Sequence, residues 1–359
     1  MQAQGTVTRT FTRTEVERIV RSATFAPSIL NVQPWRFVAR HDSLDLHRDE
    51  TRVLPVTDPR HRALTISCGA ALLNVRLAIA ALGHRADVQV LPDPDRPTLL
   101  AVVRPGLAAV PSRTDLRLYD AMPRRRTSRV PYADQPIAPE VVVALEHVAA
   151  TEGAALRVLT SVEAAEMTRL VHVADIMQGA NADVRREIRA WTGRPPGSVD
   201  GLPEDALGPL ARDPSGVVRD FGLDRPVVHR PQADFESHPT LAMLLTDDDD
   251  PVAWMRAGRA LQRVWLEATA AGLAVSLLTQ PLELSNLRWQ SRPLLAHRPT
   301  SRAVPSTSHR GGWPQVVLRL GVAATSTPRT PRRCVDDVLT FSPTVIEDPP
   351  LRRALSPPR

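Results

Sequence analysis

Pro27 and Pro34 bracket the segment Ala26-Pro27-Ser28-Ile29-Leu30-Asn31-Val32-Gln33-Pro34-Trp35. Each proline fixes its own φ, removes a backbone donor and pushes the residue before it out of the helical region, so this stretch reads as a stiffened loop. A helix precedes it: Thr14 and Glu17 have capping-box spacing, and Val16, Ile19, Val20 and Ala23 recur at helical intervals. The apolar run Arg36-Phe37-Val38-Ala39 follows. Within the loop, Ser28 and Asn31 present a hydroxyl and an amide, groups that both donate and accept hydrogen bonds at the edge of a heteroaromatic ring.

The pattern of the N-terminal part predicts helix, loop, strands over 35–40 and 44–46, a long helix over 65–82, and strands over 86–91 and 98–103. Gly83 fits a left-handed helix cap. A linker rich in proline and small residues follows, and then the order begins again. A helix opens at Pro139-Glu140, a strand covers 156–160, and one further helix runs over 162–190. Strands over 240–245, 274–278 and 315–322 complete the body. Between the first two of these, Trp254, Ala257, Leu261, Val264, Trp265 and Ala268 share one face of a helix that stops at Gly272. Residues 284–312 and the tail beyond 341 read as loop. Residues 192–239, dense in proline and glycine, form an insertion whose length suits a lid or a linker.

With 359 residues the chain can hold one large domain or two ordinary ones. Its basic residues invite a nucleic-acid reading, which their distribution rejects. All 45 are arginine, they interleave with 39 acidic residues to leave a net charge of +6, and aromatic residues are only 4%. The longest apolar stretch, 64–83, is interrupted by Asn74 and Arg76 and reads as a buried helix, not a membrane span. The N-terminus lacks the pattern of a signal peptide, and Cys68 and Cys334 fit free thiols in a reducing compartment, so a cytoplasmic protein is expected. The histidines have no metal-ligand or triad spacing. Asp247 to Asp250 read as a helix-capping loop, and neither a Gly-x-Ser-x-Gly elbow nor a Gly-x-Gly-x-x-Gly loop is present.

Arg124-Arg125-Arg126-Thr127-Ser128-Arg129 groups guanidinium forks around a hydroxyl, a chemistry suited to a phosphate dianion. Together with Ala-Pro-Ser-x-x-Asn-x-Gln-Pro-Trp, this Arg-x-Thr-x-Arg pattern resembles the nitroreductase family. The segments Thr246 to Gln262, Ala271 to Glu283, Gly312 to Gln315 and Pro331 to Val338 are similar to the Acg-type branch, built from two fused halves. The resemblance implies an α+β nitroreductase-like fold in which each half is a mixed sheet packed by helices, the halves forming an intramolecular pseudo-dimer. It divides the chain into an N-terminal half, residues 1–115, and a C-terminal half, residues 116–359, that carries the insertion.

The implied cofactor is FMN. Pro27, Ser28, Asn31 and Gln33 would face the flavin ring; Arg125, Arg126, Thr127, Arg332 and Arg333 would hold its phosphate; Arg129 would lie near the N1–C2 edge. The segment Leu278, Thr279, Gln280 would bring a backbone N–H towards N5. The N-terminal half has the ring loop but no good phosphate motif. The C-terminal half has the phosphate motif but Thr151-Glu152-Gly153-Ala154 where its ring loop should be, so one site per chain is expected. The implied activity is hydride transfer from NAD(P)H through the flavin to a nitroaromatic or quinone-like acceptor, with no catalytic side chain and no metal. The alternative is a flavin-sequestering protein shut by its insertion. The expected state is a monomer or weak homodimer.

Overall fold

The computed structural model describes residues 10–195, 197–213, 218–221, 230–292 and 312–343. Helix α1 (Arg13–Thr24) starts two residues earlier than the spacing predicts. Its capping box is Thr12 with Glu15: the Thr12 hydroxyl accepts from the Glu15 N–H (3.2 Å), and a Glu15 carboxylate oxygen accepts from the Thr12 N–H (3.0 Å). Thr14 and Glu17 have the same spacing but lie inside the helix, and Glu17 pairs with Arg13 instead. The apolar pattern favours the earlier position: with Thr12 as the cap, Phe11 and Val16 take the N′ and N4 places of a hydrophobic staple, and both are buried in one core cluster.

After the loop come β1 (Trp35–Ala39), β2 (Leu44–Arg48), α2 (Arg62–Ala81), β3 (His84–Val90) and β4 (Leu99–Ala108). The expected linker then contains a helix, α3 (Arg113–Ala121), capped by the Ser112 hydroxyl. The chain continues through α4 (Pro139–Thr151), β5 (Ala155–Val158), α5 (Ser161–Ala180) and α6 (Ala182–Trp191). The last two were expected as one helix. Asn181 leaves the helical region (φ −88°, ψ 115°) and its side chain caps α6 at the Asp183 and Val184 N–H groups, which separates them.

Short strand pairs β6 (Thr192–Arg194) with β7 (Leu202–Pro203), and β8 (Leu210–Ala211) with β9 (Gln232–Ala233), order the described part of the insertion. The body resumes with β10 (Thr240–Thr246), α7 (Pro251–Ala270), β11 (Ala274–Leu277), α8 (Gln280–Glu283) and α9 (Ser285–Gln290). It closes with β12 (Trp313–Gly321), α10 (Val335–Val338) and β13 (Leu339–Phe341). The expected loop over 284–312 therefore holds α9, and its residues 293–311 lie outside the described residues, as does the tail beyond 343.

Two sheets result, in the orders β13-β1-β2-β4-β3 and β11-β12-β10-β5. The first is mixed, because β13 joins β1 in parallel: the C-terminal end of the chain completes the N-terminal sheet. The ladders of the second are antiparallel, and its parallel contact is a single bridge from Thr127 to Val275 at the β11 edge.

Helices α2 and α7 cross between the sheets. Gly69 and Gly258 let the backbones touch: a Cβ at Gly258 would lie 2.0 Å from the Ile66 carbonyl oxygen, and one at Gly69 would lie 2.4 Å from that of Met255. Beyond the crossing, the buried Gln262 amide donates to Asn74 (2.8 Å). Helix α2 is long and apolar enough to cross a membrane by composition, but it is buried here along most of its length.

Replacing Gly258 with Ala gains about 1 kcal/mol of helix propensity. It also forces two rigid backbones apart, at a cost towards the upper end of the ~1–3 kcal/mol of overpacking, or above it. Gly258→Ala is therefore expected to lower the melting temperature by several degrees. Gly179→Ala, on α5 with nothing within 4 Å of its Cβ, should leave it unchanged or slightly raised. Thermal unfolding of the two variants checks this.

Candidate functional site

A cavity opens where the start of α2 and the C-terminal part of α7 meet the second sheet. Its walls combine Pro27 to Leu30, the first turns of α2, Leu261 and Trp265 of α7, Leu277 and Thr279 at the end of β11, and Gln315 and Val316 of β12. The insertion contributes Leu202, Arg219 and Phe221.

Thr127 sits on the β11 edge, held by its bridge to Val275 and by the Ser128 N–H to the Val275 carbonyl (2.9 Å), while the Arg124 and Arg125 N–H groups still bond the Ala121 carbonyl at the end of α3. Thr127 and Arg129 line the cavity. Arg129 donates to the Ala206 carbonyl (2.9 Å) and lies 5.2 Å from the centre of the Phe221 ring. Arg219 flanks the same ring at 5.1 Å. Burial, with the Arg219 charge second, brings Arg129 down to about 10.

Arg125 stacks over Trp265 (4.7 Å) and reaches the Phe25 carbonyl, but its Nη1 is buried without a partner. Burial, then the charges of Arg332 and Arg126, push it well below the ordinary arginine range. Arg332 is brought down to about 10 by burial, then by Arg329 and Arg126, and its Nε has no partner. Ser128 Oγ is a third buried atom left unpaired. Among the described residues no carboxylate bonds to Arg125 or Arg332. Four guanidiniums thus stand close enough to repel one another, a state that an anion relieves. Arg126 itself turns back onto the Pro123 and Arg125 carbonyls.

The other expected site residues divide. Ser28 lines the cavity, while its hydroxyl accepts from the Gln33 N–H (3.0 Å). Asn31 and Gln33 are buried outside the lining and bond to the insertion and the C-terminal segment. The Leu278 N–H is committed to the Val317 carbonyl (3.0 Å), and the Gln280 amide donates to Asp175 (3.3 Å). Of that trio only Thr279 lines the cavity, its hydroxyl donating to Glu283 (3.1 Å). Arg333 faces Asp49 and lies beside Arg332 in a neighbouring surface cleft.

Sequence reasoning missed Arg62, Arg219 and Ser128. Arg62 opens α2 and lines the cavity, bonded to the Gln315 and Leu282 carbonyls; burial, then the Arg288 charge, brings it down to about 10. A lone arginine at the head of an apolar helix was the available signal. Arg219 had none, since its place depends on the path of the insertion. It pairs with Glu283 (3.0 Å) and donates to Gln178 (2.7 Å), both fixed behind the Thr279 wall.

No family model matches the chain. Curated relatives do. A Mycobacterium tuberculosis protein named "Putative NAD(P)H nitroreductase Rv3131" is 35% identical over 334 residues, covering 91% of this chain and 91% of that one. Its counterpart acg, from the same species and with the same description, is 31% identical over 330 residues, covering 90% and 94%. The chain belongs to the nitroreductase family. Within it, the chain is of the Acg type. A crystal structure of the FMN-dependent nitroreductase NfnB from Mycobacterium smegmatis in complex with NADPH overlaps 63% of this chain and 98% of its own, at 15% identity and a TM-score of 0.38.

The buried network behind Thr279 carries a pH prediction. Burial raises the Asp175 carboxyl above its ordinary 3.8, with Arg219 opposing and Glu283 adding to the shift. A carboxyl raised in the folded state costs stability once ionised: the cost is absent below the unfolded value and grows as pH rises through the folded one. Asp175→Asn, which keeps an oxygen for the Gln280 amide, is therefore expected to raise the denaturant midpoint at pH 8. The gain should vanish as the pH approaches 3.8; urea unfolding at the two pH values measures it.

Proposed function

We propose that this chain is an FMN-dependent oxidoreductase that takes reducing equivalents from NAD(P)H and passes them to a nitroaromatic or quinone-like acceptor. The observation that carries the reading is the pair of mutually repelling guanidiniums, buried Arg125 and half-buried Arg332, each with a buried N–H donor left unpaired. A phosphomonoester supplies both the charge and the acceptors that they lack. The names of the relatives supply the reaction class.

In this reading Arg125, Thr127 and Arg332 hold the phosphate, with Ser128 Oγ as a further donor, and Arg129 offers positive charge to the ring edge. Trp265, Leu202 and Phe221 supply apolar walls that exclude water, and Ser28 and Thr279 are the small polar groups at the cavity surface. When bound, FMN would supply hydride acceptance and its onward transfer. The C-terminal half contributes the phosphate residues and the N-terminal half the Pro27–Leu30 wall, so one chain assembles one site.

A second reading, flavin sequestration, draws on one observation: the insertion supplies part of the cavity wall, with Phe221 set between Arg129 and Arg219. The two readings separate in an anaerobic stopped-flow mix with NADPH. An open site bleaches the flavin absorbance of the intact chain. A shut one bleaches only when residues 195–232 are replaced by a short Gly/Ser linker, because a closed lid blocks hydride transfer.

The purified chain is expected to carry one FMN. Arg125→Ala should weaken retention roughly ten- to a hundredfold, the worth of a charge-assisted bond of about 1.5–3 kcal/mol. Arg124→Ala, exposed and outside the motif, should change it little. Equal losses at both positions, measured by flavin fluorescence titration, would defeat the assignment of a defined phosphate site.

A further inference from the structure

Asn31 and Gln33, which the family resemblance assigns to the flavin ring, spend their side chains elsewhere. Asn31 Nδ2 donates to the Gly201 carbonyl (2.9 Å) and, at greater length, to that of Pro331 (3.3 Å), while its Oδ1 accepts from Arg332 Nη1 (3.1 Å). Its own carbonyl accepts from the Gly201 N–H (3.1 Å). Gln33 repeats the arrangement: Nε2 donates to the Val199 carbonyl (2.8 Å), and Oε1 accepts from the Arg333 N–H (2.9 Å). Arg52 closes the junction, donating to the Val32 carbonyl (2.8 Å) and pairing with Asp200 (2.9 Å). Three segments far apart in sequence, 31–33, 199–201 and 331–333, therefore meet at two buried amides. Leu30, Asn31 and Gln33 all hold positive φ (46°, 55° and 51°), a conformation unfavourable for most side chains that persists when surrounding contacts over-determine it.

We infer that Asn31 is a positioning residue: it holds Arg332 in place for the phosphate of the bound cofactor and, through Gly201, ties that arginine to the insertion. The inference rests on the flavin reading above and adds to it. Arg332 is pushed away by Arg126 and Arg329, and Arg125 feels the Arg332 charge in turn. It stays put because Nη1 is fixed from behind, by Asn31 together with Thr330 and the Pro331 carbonyl, which leaves Nε unspent. A neutral amide suits this role better than a carboxylate. It accepts from the guanidinium without cancelling the charge that a phosphate needs, and its other end donates to the insertion. Asparagine also tolerates the left-handed backbone at this position.

Riboflavin has the ring of FMN without the phosphate, so the pair of ligands tests the role. Asn31→Gly removes the side chain while allowing φ 55°. Its affinity for FMN should fall by about tenfold, the worth of one bond to a charged group, with riboflavin affinity unchanged. In an Arg332→Ala background the same substitution should lower FMN affinity no further, because the two residues act as one unit. In the cofactor-free chain, Asn31→Gly should speed limited proteolysis between residues 197 and 213. Equal losses of FMN and riboflavin would make Asn31 a ring contact and overturn the inference, as would independent effects of Asn31→Gly and Arg332→Ala. If the unaltered chain holds neither flavin, the flavin reading fails by itself. The proteolysis comparison then still decides, and equal cleavage of the variant and the parent chain overturns the coupling.

Discussion

The crossing of α2 and α7 at Gly69 and Gly258 sets the geometry on which everything else depends. Two buried helices approach to backbone contact only where neither carries a side chain, and the Asn74–Gln262 hydrogen bond then fixes their register along the crossing. Each helix packs with its own sheet, and the cavity lies against both: Arg62, Ile66 and Ser67 reach it from α2, Leu261 and Trp265 from α7. Separating the helices would move both walls at once. The close approach that joins the halves is thus also the device that sizes the cavity.

Charge distinguishes structural arginines from those available to a ligand. With 45 arginines and 39 acidic residues, most buried guanidiniums can find a carboxylate. Glu152 takes Arg76 of α2 together with Arg259 and Arg263 of α7, Asp249 takes Arg288, and Glu236 takes Arg319. In each case the Coulomb attraction offsets part of the cost of burial. Arg125 and Arg332 break the rule, as do Arg62 and Arg129 in the cavity wall, whose hydrogen bonds among the described residues go to carbonyls and a neutral amide. Arg125 is buried and Arg332 half-buried beside other cations; among the described residues both meet only backbone carbonyls and neutral side chains, and each keeps an unused donor. That exception, more than the abundance of positive charge, marks the site.

The insertion and the C-terminal tail both pack against the N-terminal part of the chain. The insertion packs Leu202 and Leu207 against Leu30 and Val32 in a small apolar cluster of their own. The tail carries Arg332 past Asn31 and then enters the first sheet as β13, in parallel with β1. Both therefore converge on the stiff loop between Pro27 and Pro34, which serves as cavity wall on one side and as anchor on the other.

The chain of residues determined the local elements by itself. The amphipathic face of α7, the apolar length of α2, the run of the major strands and the stiffness of the Pro27–Pro34 loop all follow from side-chain periodicity and proline geometry, which need no partner to be read. The Arg124–Arg129 run was legible as a phosphate-suited cluster from residue chemistry alone, guanidinium forks set around a hydroxyl. Tertiary structure decided what local rules leave degenerate. Two Thr-x-x-Glu spacings competed to begin α1, and the start at Thr12 is the one that places Phe11 and Val16 at the flanking apolar positions, both buried in one core cluster. A three-residue strand at 339–341 had too little pattern to stand out and exists because β1 offered an edge. The side chains of Asn31 and Gln33 could have faced a ligand or the protein. Their direction was settled by backbone groups at 199, 201, 331 and 333, brought to them across some 170 and 300 positions of sequence by folding alone.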